Sequence, residues 1–282
     1  MRSLALVIGA AGQLGAAMVE GLARRHEVVA MTRGDADLTA ASATRDRIVA
    51  VCPDMIINCA AYNNVDGAER EPAEALAANA WGVRTLARIA AEIDATLVHF
   101  STDFVFDGVS DRPYTELDTP NPRGTYASSK LLGEWFAAET PRHYVLRVES
   151  LFGGPRARSS VDRLLSAIRS NQEVRAFADR TVSPSYVEDV VAATMGLIER
   201  GPACGTYHVV NTGWTNWADL SRELAALAGH PEASIVEVRM ADAGLTAPRP
   251  QFAALSNAKL ANAGVLMPTW QDALARYVAL TA

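Results

Sequence analysis

The sequence predicts an α/β fold, a doubly wound parallel sheet with a smaller C-terminal lobe. Three observations lead there. Short apolar runs alternate with helix-patterned stretches through the first half, a glycine-rich turn follows the first run, and the alternation loosens after about residue 150. Residues 4–8 (LALVI) are apolar throughout, as a parallel strand buried on both faces requires. Residues 12–25 read as a helix whose buried stripe is Leu14, Met18 and Leu22 with neighbouring alanines. A second strand is expected at 27–31 (EVVAM), a helix near 42–51, and a third strand at 54–58 (DMIIN). A long Ala-rich helix over 74–92 leads to a strand at 96–101 (TLVHFS), and a helix over 126–138 leads to another at 143–148 (HYVLRV). Right-handed crossovers between such strands put helices on both faces of one Rossmann-type sheet.

The second half is punctuated by GGPR, GPACG and APRP. Helices are expected over 160–170, 186–199, 216–228 and 269–280, with short strands near 174–176, 206–210 and 234–238. The expected division is a dinucleotide-binding domain over 1–150 and a substrate lobe over 151–282. That lobe packs over the sheet's carboxyl edge, and some of its segments return to the first domain.

Composition narrows the function. Hydrophobic residues make up 49% and charged residues 21%, which fits a globular enzyme and excludes disorder. A net charge of −6, with no basic run, argues against a nucleic-acid partner. No apolar run is long enough to span a bilayer and no signal peptide is legible, so a cytoplasmic location is expected. Cys52, Cys59 and Cys204 read as buried thiols, and the five histidines never fall at metal-ligand spacing, so no metal is expected.

The chemistry is carried by four stretches. GAAGQLG (9–15) joins the first strand to the first helix. Gly9, Gly12 and Gly15 permit a tight turn and a close pyrophosphate, with Gln13 and Leu14 opening the helix toward it. At the end of the second strand a carboxylate would favour NAD and an arginine NADP. Arg33 stands there, so NADPH is the expected cofactor, with NADH as the alternative. Asp37 and Leu38 are candidates for holding the adenine amino group. Ala60 and Ala61, with Tyr62 beside them, leave room for the dinucleotide backbone.

STDFVFDG (101–108) emerges at the sheet's carboxyl edge, where ligands bind in open α/β sheets. Tyr126 and Lys130 lie four apart on one helix face. Of 26 basic residues only Lys130 and Lys259 are lysines, and about 0.05 Tyr-x-x-x-Lys pairs are expected by chance. A phenol has an ordinary pKa near ~10; an ammonium beside it lowers that value and binds a ribose with its remaining protons, which a guanidinium does badly.

With GAAGQLG, NCAAYNNVDGAE, STDFVFDG, Tyr126-x-x-x-Lys130 and RPQFAALS in this order, the chain resembles extended short-chain dehydrogenase/reductases. Within them it is similar to the dTDP-4-dehydrorhamnose reductase family. The likeness runs from residue 3 to about 280, and DRTVSPSYVEDV (179–190), LSNAKL (255–260) and PTW (268–270) are more specific than the glycine turn. The resemblance implies that Tyr126 is the general acid, Lys130 its partner and ribose ligand, and Ser101 part of the cofactor site. It further implies that Thr102 orients the carbonyl and that Thr102 and Asp103 bind the sugar. The family's usual R-T-S-W-V-Y is here Arg147-Val148-Glu149-Ser150-Leu151-Phe152, so Ser150 takes the place of a tryptophan that lies against the sugar.

The implied activity is NAD(P)H-dependent reduction of a 4-keto sugar nucleotide. The alternatives are a dinucleotide-binding regulatory subunit and a sugar-nucleotide epimerase. Phe104 after Asp103, where a dehydratase carries Glu, weighs against dehydration. A nucleotide sugar also needs donors for its diphosphate beyond the sheet. Arg249 in the Pro-flanked APRP loop is the first candidate and Arg175 the second. A small-molecule substrate is thus the expected partner, and a homodimer is left open.

Overall fold

The computed structural model describes residues 3–156 and 158–281. Its first half supplies β1 (Leu4–Ile8), β2 (Glu27–Met31), β3 (Met55–Asn58), β4 (Thr96–Thr102) and β5 (His143–Val148). Between them run α1 (Gln13–Leu22), α2 (Ala41–Val51), α3 (Val65–Arg70), α4 (Pro72–Leu76), α5 (Gly82–Glu92) and α6 (Thr125–Ala137). The second half adds β6 (Leu151–Phe152), α7 (Ser160–Arg169), β7 (Val174–Phe177), β8 (Thr181–Val182), β9 (Ser185–Tyr186) and α8 (Val187–Arg200). It closes with β10 (Gly205–His208), β11 (Thr215–Asn216), α9 (Trp217–Leu227), β12 (Ile235–Val238), α10 (Ala258–Asn262) and α11 (Trp270–Leu280).

The main sheet runs β2-β1-β3-β4-β5-β10, every pair parallel. The order reverses between β1 and β3, and a crevice opens at the carboxyl ends of those two strands. Period-two alternation sorts their side chains to opposite faces. Ala5 and Val7 pack with Met18 and Leu22 of α1 and with Val190 and Leu197 of α8. Leu6 and Ile8 pack with Ile48 of α2 and with Leu86 and Ile89 of α5. Each of these side chains larger than alanine contributes about 1.5–3 kcal/mol by leaving water. A separate core, centred on Phe152, Leu165, Leu220, Trp270 and Tyr277, holds α7, α9 and α11 together around the small sheets.

One expected element gains its place in the sheet, and three expectations need correction. The strand expected near 206–210 is the sixth strand of the main sheet, and α8 covers one face of that sheet. The two halves therefore share one sheet, with β10 in register beside β5. The helix expected over 74–92 begins at Pro72 and is widened by a π-helical turn at Ala77–Trp81. There Asn79 turns inward, accepting from the Tyr62 amide at 2.8 Å and donating to Ser129 Oγ at 3.0 Å; those long-range bonds stabilise a local geometry that propensity does not favour. The helix expected to reach residue 25 stops at Leu22. Cys52 and Cys204 are exposed and only Cys59 is partly covered. Cys52 caps α2 in the left-handed region, φ 48°, at the exposed end of that helix.

Candidate active site

Three adjoining cavities follow the carboxyl edge of the sheet. The first, about 700 Å³, lies over the switch point and is lined by Gly9, Arg33, Asp37, Leu38 and Tyr62. The second, about 600 Å³, holds Gln13, Leu14, Ser101, Thr102, Asp103, Tyr126, Lys130, Ser150 and Arg249. Gly12, Ala60 and Ala61 line both, so the two are continuous. A third, about 300 Å³, shares Ser160, Arg163, Arg180 and Trp217 with the second and adds Arg175.

The glycine turn is shaped by contact. Gly9 has φ 78°, and a Cβ on it would lie 2.7 Å from the Ala60 amide nitrogen. Gly15 lines none of the three cavities. A Cβ there would meet the Gly9 carbonyl oxygen at 2.2 Å, so its part is to let α1 close onto the turn. Helix α1 has Gly12 at its N-cap and so no side-chain cap, leaving its first N–H groups for an anion. Gln13 donates to the Gly153 carbonyl at 2.9 Å and ties the turn to the second half. A glycine cradle with uncapped amides at the sheet's switch point fits a dinucleotide pyrophosphate. At the far end Arg33 is exposed and its Nε reaches Asp37 at 3.3 Å.

Helix α6 carries Tyr126 and Lys130. Ser129 donates to the Tyr126 carbonyl at 2.7 Å, which ties that turn to Asn79. Lys130 is buried and its Nζ donates to the Phe100 carbonyl of β4 at 2.6 Å. Burial pushes its pKa down to about 8, against the opposing pull of Glu134 and Cys59. The Ser101 hydroxyl donates a hydrogen bond to Glu134 at 2.5 Å, and Arg147 clamps the same carboxylate at 2.6 and 2.8 Å, so a buried ion pair braces the end of β4. Thr102 donates to Asp103 at 2.8 Å.

The expected lowering of the Tyr126 pKa by Lys130 is not realised. Burial pushes the phenol up, the Asp103 charge adds to that, and only the Thr102 hydroxyl opposes it. The charge that reaches the phenol is an anion, and the ammonium is bonded elsewhere. Asp103 itself is raised to about 6, mainly by burial, with the Arg180 cation opposing.

Arg249 reaches the central cavity, but its guanidinium already donates to Asp66 at 2.8 Å and to the Ala247 carbonyl at 2.8 Å. Its rigidity comes from that pair as much as from the flanking prolines. Sequence reasoning missed Arg180, Arg163 and Trp217, which line the central cavity. Arg180 lies within DRTVSPSYVEDV, a stretch whose distinctiveness was the one available signal; nothing in spacing points to the others.

A dinucleotide-sized groove that ends on a tyrosine–lysine pair beside a threonine places the chain among the extended short-chain dehydrogenase/reductases. A family model described as the RmlD substrate binding domain matches residues 2–282, and the chain belongs to that family. It is 36% identical over 289 residues to the dTDP-4-dehydrorhamnose reductase of Mycobacterium tuberculosis, covering 100% of this chain and 94% of that one. It is 32% identical to the spore coat polysaccharide biosynthesis protein SpsK of Bacillus subtilis, covering 97% and 96%. The crystal structure of dTDP-4-dehydrorhamnose reductase from Bacillus anthracis in complex with NADP superposes with a TM-score of 0.95 at 30% identity, covering 99% and 100%.

Proposed function

We propose that this chain reduces the 4-keto carbon of a nucleotide-linked sugar to the alcohol. It is an NAD(P)H-dependent oxidoreductase, with NADPH the preferred cofactor and NADH the alternative. The carrying observation is that Thr102, Tyr126 and Lys130 stand where the dinucleotide groove meets a cavity lined by arginines. When bound, the nicotinamide supplies hydride to the ketone carbon. Tyr126 donates its phenolic proton to the ketone oxygen, and a phenol held protonated by burial and by Asp103 suits an acid in the reductive direction. Thr102 orients the carbonyl, and Lys130 binds the ribose from its place against β4. Asp103 and Ser150 face the sugar.

Arg249, Arg163 and Arg180 are the cations available to the diphosphate, with Arg175 in the adjoining cavity. Trp217, at the junction of the two cavities, offers a flat face to a base. The reading is tested by NADPH consumption with a panel of dTDP-, UDP- and GDP-linked 4-keto sugars. Turnover on at least one of them, with a stereochemically single 4-hydroxy product, is expected; no consumption with any sugar nucleotide would overturn it.

A further inference from the structure

Behind the pocket the segment that departs from the family pattern places an acid in the interior. Ser150 turns the chain through the left-handed region, φ 45°, and Glu149 just before it is buried. Such a turn at a residue other than glycine is sparsely populated, and its persistence means that tertiary contacts impose it. Glu149 Oε2 accepts from the Ser183 amide at 2.6 Å, while its Oε1 is buried without a partner. Oδ2 of Asp103 and Nε of Arg180 are also buried without partners. The rest of the Arg180 guanidinium lies over the Phe104 ring, 5.5 Å from its centroid.

We propose that Glu149 is a neutral carboxylic acid at neutral pH, and that it acts as a positioning residue that leaves Asp103 the single carboxylate of the pocket. The charged and titratable groups around it are Asp103 after β4, Arg180 before β8 and, beyond Asp103, the phenol of Tyr126 on α6. One cation facing two buried carboxyls compensates one negative charge; the second carboxyl avoids the cost of burying an unpaired ion by keeping its proton. Asp103 is the one that ionises. It lines the cavity and is held by the Thr102 hydroxyl at 2.8 Å, whereas Glu149 does not line it. Burial and the Asp103 charge hold Glu149 well above the usual carboxylate range, and Asp103 is raised only to about 6. Protonation also converts Oε1 from an unmatched acceptor into a donor, in a group whose other orphan oxygen is an acceptor. The functional part rests on the proposed reduction: above its pKa Asp103 accepts a sugar hydroxyl and keeps the Tyr126 phenol protonated, and an ionised Glu149 would repel that charge.

Two measurements test it. Infrared difference spectroscopy of the full chain against E149Q at pH 7.5 reads the proton directly and does not depend on the activity. The carbonyl stretch of a protonated carboxyl, present in the parent and absent from E149Q, is expected; carboxylate bands in its place overturn the proposal. The second is the pH profile of kcat/KM for NADPH-dependent reduction of the 4-keto sugar nucleotide. E149Q keeps a neutral donor, so its kcat/KM stays within about threefold and its acidic limb does not move, while E149A raises KM about tenfold. An acidic limb displaced downward in E149Q would mean that Glu149 carried charge, and the proposal falls. Should E149A not fold, E149Q and the infrared measurement still decide it.

Discussion

The two ends of the groove are built in different ways. The dinucleotide end is made largely of backbone and small residues, Gly9, Gly12, Ala60 and Ala61, presented by two loops whose positions follow from the register of β1 with β3. The other end, where we propose that the sugar nucleotide binds, is lined by side chains from separated parts of the chain: Asp103, Ser150, Arg163, Arg180, Trp217 and Arg249. The first end tolerates few substitutions because atoms are already in contact. The second is adjustable, since each side chain arrives on its own loop or helix. The difference teaches where the family's common chemistry resides and where this chain's own selectivity must lie.

The junction between the ends gives the largest expected effect. Tyr126→Phe should retain the fold and NADPH binding while lowering turnover by roughly 10²–10⁴-fold, the usual worth of a general acid. Unchanged single-turnover rates in that variant would remove Tyr126 from the reaction and leave the junction without its acid.

Asp103→Asn probes the adjustable end through stability. A carboxyl whose folded pKa is raised from 3.8 to about 6 holds its proton more tightly when folded. It therefore contributes stability at low pH that is lost as pH rises through that window, on the order of 3 kcal/mol. Relative to the parent, Asp103→Asn should gain by that amount between pH 4 and 7, read from denaturant melts, while its substrate KM worsens. A pH-independent difference would place Asp103 in a more polar setting than its burial indicates.

Arg249→Ala should raise the substrate KM about tenfold with little change in the Kd for NADPH, the pattern of lost ground-state binding. Because Asp66 holds the same guanidinium, Asp66→Asn should reproduce part of that rise; normal KM values in both would take this loop out of the site. The smallest effect belongs to the dinucleotide end. Arg33 is exposed and shared with Asp37, so Arg33→Ala should weaken NADPH by only about threefold and NADH less. Equal weakening of both, measured by fluorescence titration, would leave Arg33 a surface charge and make the backbone sufficient for that end.

The sequence by itself determined the alternating order of strands and helices, the glycine turn, and the pairing of Tyr126 with Lys130. Each is a local property: a period of two or 3.6, a turn that only glycine tolerates, a spacing of four on one helix. Tertiary structure alone decided the rest. The last strand of the sheet comes from residues 205–208, since which strand lies beside β5 depends on packing under α8 and not on the strand's own residues. The π-helical turn at Asn79 exists because the Tyr62 amide donates to its side chain and Ser129 Oγ accepts from it, both distant in sequence. The Tyr126 phenol is raised rather than lowered because burial and the Asp103 charge act on it while Lys130 is bonded to β4. Arg180 and Glu149 meet Asp103 only through the fold. Electrostatic effects depend on distance and burial, and neither is written in the spacing of residues along a chain.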